Sequence, residues 1–79
     1  MKLIDIAADV LKVSVEDLNR DSCSKNVEEW TSLRHMMLIS SIEQMYHIRF
    51  SIVEMKKLRT LGDFESILLK KGINDAKLL

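Results

Sequence analysis

Residues 30–46 read WTSLRHMMLISSIEQMY: an aromatic, two hydroxyls, then a helix-like mixture of apolar and polar side chains. On a helical wheel at about 100° per residue, Leu38, Ile39, Ile42, Met45 and Tyr46 fall in one arc and Arg34, Ser40, Ser41 and Gln44 in the opposite one. The pattern predicts an amphipathic helix from Ser32 to Tyr46 with its apolar arc turned inward. His35 points toward that arc. Leu33 and Met37 break the partition, since both lie on the polar side within a turn or so of Ser32.

Working outward, the chain has no proline and only two glycines, Gly62 and Gly72, so helix boundaries must be marked by caps. Ser14 with Asp17, Asn26 with Glu29, Ser51 with Glu54 and Thr60 with Asp63 each set a capping side chain three residues before an acid, the spacing of a reciprocal capping box. The first two are expected to mark single turns inside a loop. Leu3, Ile6, Ala7, Val10 and Leu11 line one face of a first helix from about Lys2 to Leu11. Residues 13–31 lack sustained periodicity and predict a long structured loop, a feature often tied to function in compact domains.

Beyond the second helix, a short extended piece from His47 to Phe50 leads to a two-turn helix from Ser51 to about Leu58, with Ile52, Met55 and Leu58 inward. A fourth helix follows Thr60 and buries Leu61, Phe64, Ile67 and Leu68. Lys70, Lys71 and Gly72 give it a C-terminus of cations and a glycine stop. Residues 73–79 are expected to fray. Met36, Met45 and Met55 are expected as core gap-fillers, and His47 as a solvated helix-end residue. The fold class is therefore all-α, a four-helix bundle of three longer helices and one short one within a single domain, 1–79.

Size and charge narrow the function. A chain of 79 residues buries only about 60% of the surface it would expose unfolded, and substrate pockets usually enclose roughly 300–1,000 Å³. A binding, carrier or adaptor role is favoured over an enzyme. Twelve basic and twelve acidic residues cancel, which argues against a nucleic-acid partner. No apolar run approaches the roughly 20 residues of a membrane span and no signal-type segment is visible, so a cytoplasmic monomer is expected. The single cysteine, Cys23, excludes an internal disulfide and offers no metal-ligand spacing with His35 or His47.

Ser32 is open to three readings. Thr31 or Ser32 can serve only as a helix cap worth about 1 kcal/mol. A nucleophilic pair of Ser32 with His35, three residues on, is the enzymatic reading, but no orienting acid or glycine-rich oxyanion turn accompanies it. The third comes from the surroundings. EEWTSLRHMMLISSIEQMYHIRFS, followed by a short helix and then TLGDFESIL, resembles the acyl carrier protein family over most of the chain. The features are Ser32-Leu33 opening a long second helix, its end through Glu43 to Phe50, a short helix from Ser51 to Leu58, and Thr60 to Asp63 entering the fourth.

The resemblance implies that Ser32 carries covalent 4′-phosphopantetheine, transferred from coenzyme A by a Mg²⁺-dependent phosphopantetheinyl transferase. It also implies that the arm's thiol holds acyl, aminoacyl or polyketide intermediates for a loading ligase and downstream acyl-transferring enzymes. The chain itself would catalyse nothing. It departs from the family at Thr31, where an aspartate normally precedes the modified serine, and in lacking an acidic outer face on the second helix. Thr31, Leu33, Arg34 and Met37 are then candidate partner contacts, although Leu33 and Met37 also read as ordinary scattered surface apolars. Trp30 reads as a hydrophobic staple onto the new helix or as a shield for a bound acyl chain. The rival to the carrier is a helical interaction module, unmodified at Ser32, that binds through the same patch.

Overall fold

A computed structural model describes residues 1–78, which form four helices and no strand: α1 (Leu3–Leu11), α2 (Ser32–Tyr46), α3 (Ile52–Lys57) and α4 (Leu61–Lys70). The bounds lie within a residue of those read from periodicity and caps. The radius of gyration is 11.2 Å, close to the roughly 12 Å expected of one compact domain of this length. No helix among the described residues is long and apolar enough to cross a membrane.

Helices α1 and α2 pack along one another. Arg34 at the start of α2 donates to the carbonyl of Leu11 at the end of α1, while the Tyr46 hydroxyl donates to the carbonyl of Met1 at 2.8 Å, so the two run antiparallel. The Tyr46 phenol is pushed up to about 12 by burial and by the nearby carboxylates of Asp75 and Asp5. Leu3, Ile6, Ala7 and Leu11 meet Leu38, Ile39 and Ile42, and α4 closes the core with Leu61, Phe64 and Leu68. Both α1 and α2 end on non-glycine residues in the left-handed region, Lys12 (φ 60°) and His47 (φ 54°), whose N–H groups close back on Ala8 and Glu43.

The capping boxes at Ser51–Glu54 and Thr60–Asp63 are both formed reciprocally. The two earlier ones are not. Ser14 precedes a 3-10 turn, Val15–Asp17, without a side-chain cap. Asn26 instead braces the loop, accepting from the Cys23 N–H and donating to the Asp21 carbonyl.

Three apolar expectations are corrected. Ile52 is 74% exposed, because α3 has only six residues and packs through half-buried Met55 and the buried Leu58 that follows it. Met45 is 48% exposed at the edge of the α2 arc, beside Ser41 and Gln44 in a shallow groove against α1. Met36 is 55% exposed and fills no core gap. The C-terminal stretch also departs from expectation. Gly72, at φ +87°, turns the chain after α4, and Asn74–Ala76 form a 3-10 turn with Ala76 fully buried, so 73–78 are docked rather than frayed; Leu79 lies outside the described residues.

The α1–α2 loop is tied to α4 at several points. The N–H groups of Leu61 and Gly62 donate to the carbonyls of Ser22 and Arg20, and Cys23 pairs with Thr60 in an isolated antiparallel bridge. A Cβ at Gly62 would meet the Arg20 carbonyl at 3.1 Å, so the approach suits a residue without a side chain. Buried Glu65 collects the rest. Its carboxylate accepts from Arg20 Nε at 2.8 Å and Nη2 at 2.9 Å, and from the Leu78 N–H at 2.8 Å.

Burial alone would push the Glu65 carboxyl up, but the Leu78 N–H and the Arg20 guanidinium outweigh it, and its pKa falls below 4.5. A depressed folded pKa gives a stabilisation that is complete above the unfolded value and lost as pH falls through the folded one. Glu65→Gln should therefore lower stability at neutral pH by about 1–2 kcal/mol, moderated by the half-exposed Arg20. It should also flatten the acid limb of the stability curve, as read by urea unfolding at a series of pH values.

Candidate functional site

The start of α2 is built from the Trp30 side chain outward. Trp30 is 2% exposed and sits one residue before the Thr31 cap. Its indole Nε1–H donates to His35 Nδ1 at 2.9 Å, and the two rings stack with centroids 6.0 Å apart. Phe64 of α4 packs against both rings, and Phe50 meets Phe64 edge-on. Trp30 and His35 occupy the positions of a hydrophobic staple, the residue before the cap and the fourth in the helix, with an imidazole as the inner partner.

Thr31 does the capping. Its hydroxyl accepts from the Arg34 N–H at 3.2 Å and its carbonyl from the His35 N–H at 2.8 Å. Ser32, the first helical residue, is thereby relieved of the cap and stands exposed. It borders a cleft of about 550 Å³. One wall is the first turn of α2, with Thr31, Ser32, His35 and Met36; the other is made by Ser24 and Lys25 of the loop with Leu58 and Arg59 of the α3–α4 connection.

Leu33 is 72% and Met37 47% exposed, so both face solvent as the wheel indicated, and Met36 joins them next to Ser32. Arg34 differs from a free partner contact. It is half-buried, and its guanidinium donates to the carbonyls of Glu29 at 3.3 Å and Leu11 at 3.5 Å, bracing the loop against α1. The structure thus gathers Thr31, Ser32, Leu33 and Met37 at one end of α2 and gives Arg34 a structural share.

Lys25, Met36 and Arg59 were not read as site residues. Met36 had a signal, lying only about 40° from Ser32 on the wheel. Lys25 and Arg59 had none, because the bridge that aligns their segments joins residues far apart in sequence.

The imidazole of His35 is held by the indole N–H at Nδ1, the nitrogen that a carboxylate orients in a Ser-His-Asp triad. Indole only donates, so Nδ1 must be unprotonated for this bond to exist. Comparison with protein-family models, curated proteins and solved structures returns no match for this chain.

Desolvation by burial lowers the His35 pKa from 6.5. For a lowered folded value the stabilisation is complete above the unfolded pKa and lost as pH falls from there through the folded one. Acidification below 6.5 should therefore shift Trp30 emission and loosen the start of α2. His35→Gln, which supplies a non-titrating acceptor, should remove that transition from a fluorescence titration. A Trp30 response unchanged by the substitution would assign it to another group.

Proposed function

We propose that this protein is a carrier of the acyl carrier type, with Ser32 as the attachment point of a 4′-phosphopantetheine arm. The observation that carries the reading is the division of labour at the α2 N-terminus: Thr31 accepts the capping N–H, and the neighbouring Ser32 hydroxyl is left exposed at the mouth of a cleft. The sequence resemblance and the arrangement of three longer helices and one short one agree with it.

The residues present fit such a group. A phosphodiester on Ser32 would add negative charge beside the first turn of a 15-residue helix, where the dipole and unpaired N–H groups favour an anion. Lys25 and Arg59 border the same cleft, which has no acidic residue in its lining. When bound, the arm supplies a terminal thiol able to hold an acyl, aminoacyl or polyketide intermediate as a thioester. The chain contributes a fixed base: buried Trp30 and the tied loop hold Ser32 in one place for a transferase, a loading ligase and acyl-transferring partners acting in the cytoplasm.

Leu33, Met36 and Met37 surround the attachment point with exposed apolar surface, a fitting contact for transient partners. The same patch favours a second reading, a helical interaction module left unmodified at Ser32. Thr31 in the place of the family's aspartate is the feature that weighs toward it.

Incubation with coenzyme A, Mg²⁺ and a broad-specificity transferase should add one phosphopantetheinyl unit to the intact mass, and Ser32→Ala should abolish the gain. No gain with several transferases would put the interaction module first. Thr31→Asp retains a capping oxygen and adds the charge that the family has at this position, so it should speed modification in a time course read by mass. A second test bears on the patch. Leu33→Ser with Met37→Ser should leave the melting temperature nearly unchanged, since both side chains are exposed, while slowing the transferase or weakening a cognate partner.

A further inference from the structure

The cleft beside Ser32 is charged on one side only. Lys25 comes from the α1–α2 loop and Arg59 from the α3–α4 connection, and the Cys23–Thr60 bridge locks the two segments together. Both side chains are exposed, and neither belongs to an ion pair among the described residues, whose salt bridges are Arg20–Glu65 and Lys71–Glu54. The nearest acid along the chain to Arg59, Asp63, already accepts from the N–H groups of Arg59 and Thr60. No carboxylate borders the cleft, whereas Ser24, Thr60, exposed Met36 and the edge of buried Leu58 do, the Thr60 hydroxyl being already engaged as the cap of α4.

We infer that this cleft is a seat for the prosthetic arm itself, in which Lys25 and Arg59 bind the phosphodiester oxygens and Met36 and Leu58 cover the apolar part of the chain beyond them. The inference rests on the carrier reading of Ser32. Its ligand class is a phosphodiester followed by an amide-rich, partly apolar chain, and the cleft offers cations, hydroxyls and apolar surface to match each part. Tethering strengthens the case. A group attached at Ser32 meets these cations at an effective concentration in the millimolar range or above, so a weak site suffices. Between cycles of loading the arm lies in the cleft, and a partner enzyme draws it out.

The test uses the full chain, ¹⁵N-labelled and loaded from coenzyme A, with intact mass establishing complete loading. In the loaded wild type, the arm's methyl protons should give nuclear Overhauser cross-peaks to the methyls of Met36 and Leu58. Amide shifts relative to the unloaded protein should extend to Ser24, Lys25 and Thr60. Lys25→Glu with Arg59→Glu should abolish the cross-peaks while the far-UV circular dichroism is retained. The milder pair Lys25→Gln with Arg59→Gln should weaken them and serves if the reversal perturbs the fold. Raising the salt to 1 M should also weaken them, since the cations are exposed.

A fully loaded wild type with shifts confined to residues 30–34 and no cross-peaks overturns the seat and leaves the carrier reading standing. Cross-peaks that survive both pairs of substitutions overturn the role of the two cations. Failure of loading removes the carrier reading, and the seat falls with it.

Discussion

The hydrogen bond from the Trp30 indole to His35 Nδ1 is the constraint on which the placement of this site depends. A helix preceded by a loop of some twenty residues starts where its cap is fixed, and here two neighbouring hydroxyls, Thr31 and Ser32, could each serve. Trp30, buried between His35 and Phe64, is the staple that goes with a cap at Thr31, being the residue before that cap with His35 the fourth in the helix. Ser32 follows as the first helical residue. Its exposure thus goes with an aromatic contact that starts two residues before it, at Trp30, and closes three residues after it, at His35.

A fixed helix start would achieve little if the facing wall of the cleft moved. That wall is held by backbone geometry: the Gly62 and Leu61 N–H groups reach the loop carbonyls, and Glu65 ties Arg20 and the C-terminal turn to one buried carboxylate. Among the described residues no buried side-chain polar atom lacks a partner. This accounting is what a long loop in a small domain requires, because an unpaired buried polar group would cost about 1–3 kcal/mol of a total stability that is only several times larger.

The helices were legible in the sequence because each carries its own signals. The α2 wheel, the Ser51 and Thr60 boxes and the Lys70–Gly72 ending are all local, and the structure follows them to within a residue. Errors fell where a local pattern lacked a partner. Ile52 and Met45 have inward spacing, but Ile52 sits on a helix of only six residues that packs through Met55, and Met45 lies at the edge of the α2 arc. Ser14 and Asn26 mark short turns inside the loop, as their cap spacing led one to expect, but neither forms the reciprocal box. At the site, Thr31, Ser32, Leu33 and Met37 could be read because one helix presents them. Lys25 and Arg59 could not, since only the Cys23–Thr60 pairing brings their segments together. Arg34 was visible as a surface residue, but its carbonyl partners on α1 and the loop were not.

Overall neutrality conceals how the charges are used. Glu43, Glu54, Asp63 and Glu65 each accept a backbone N–H, at Phe50, Ser51, Thr60 and Leu78 respectively, and two of them also hold a cation. Acids are thereby drawn into closing turns and helix ends, where a carboxylate near an N-terminus or a free N–H is stabilising. Several basic residues have no such structural demand, and Lys25 and Arg59 are left at the cleft with no acid in its lining. A chain with twelve residues of each sign can therefore line one cleft beside Ser32 with cations and no acid without any excess of basic residues. Net charge alone could not have revealed this, because the lining brings together Lys25 and Arg59 from segments that meet only on folding.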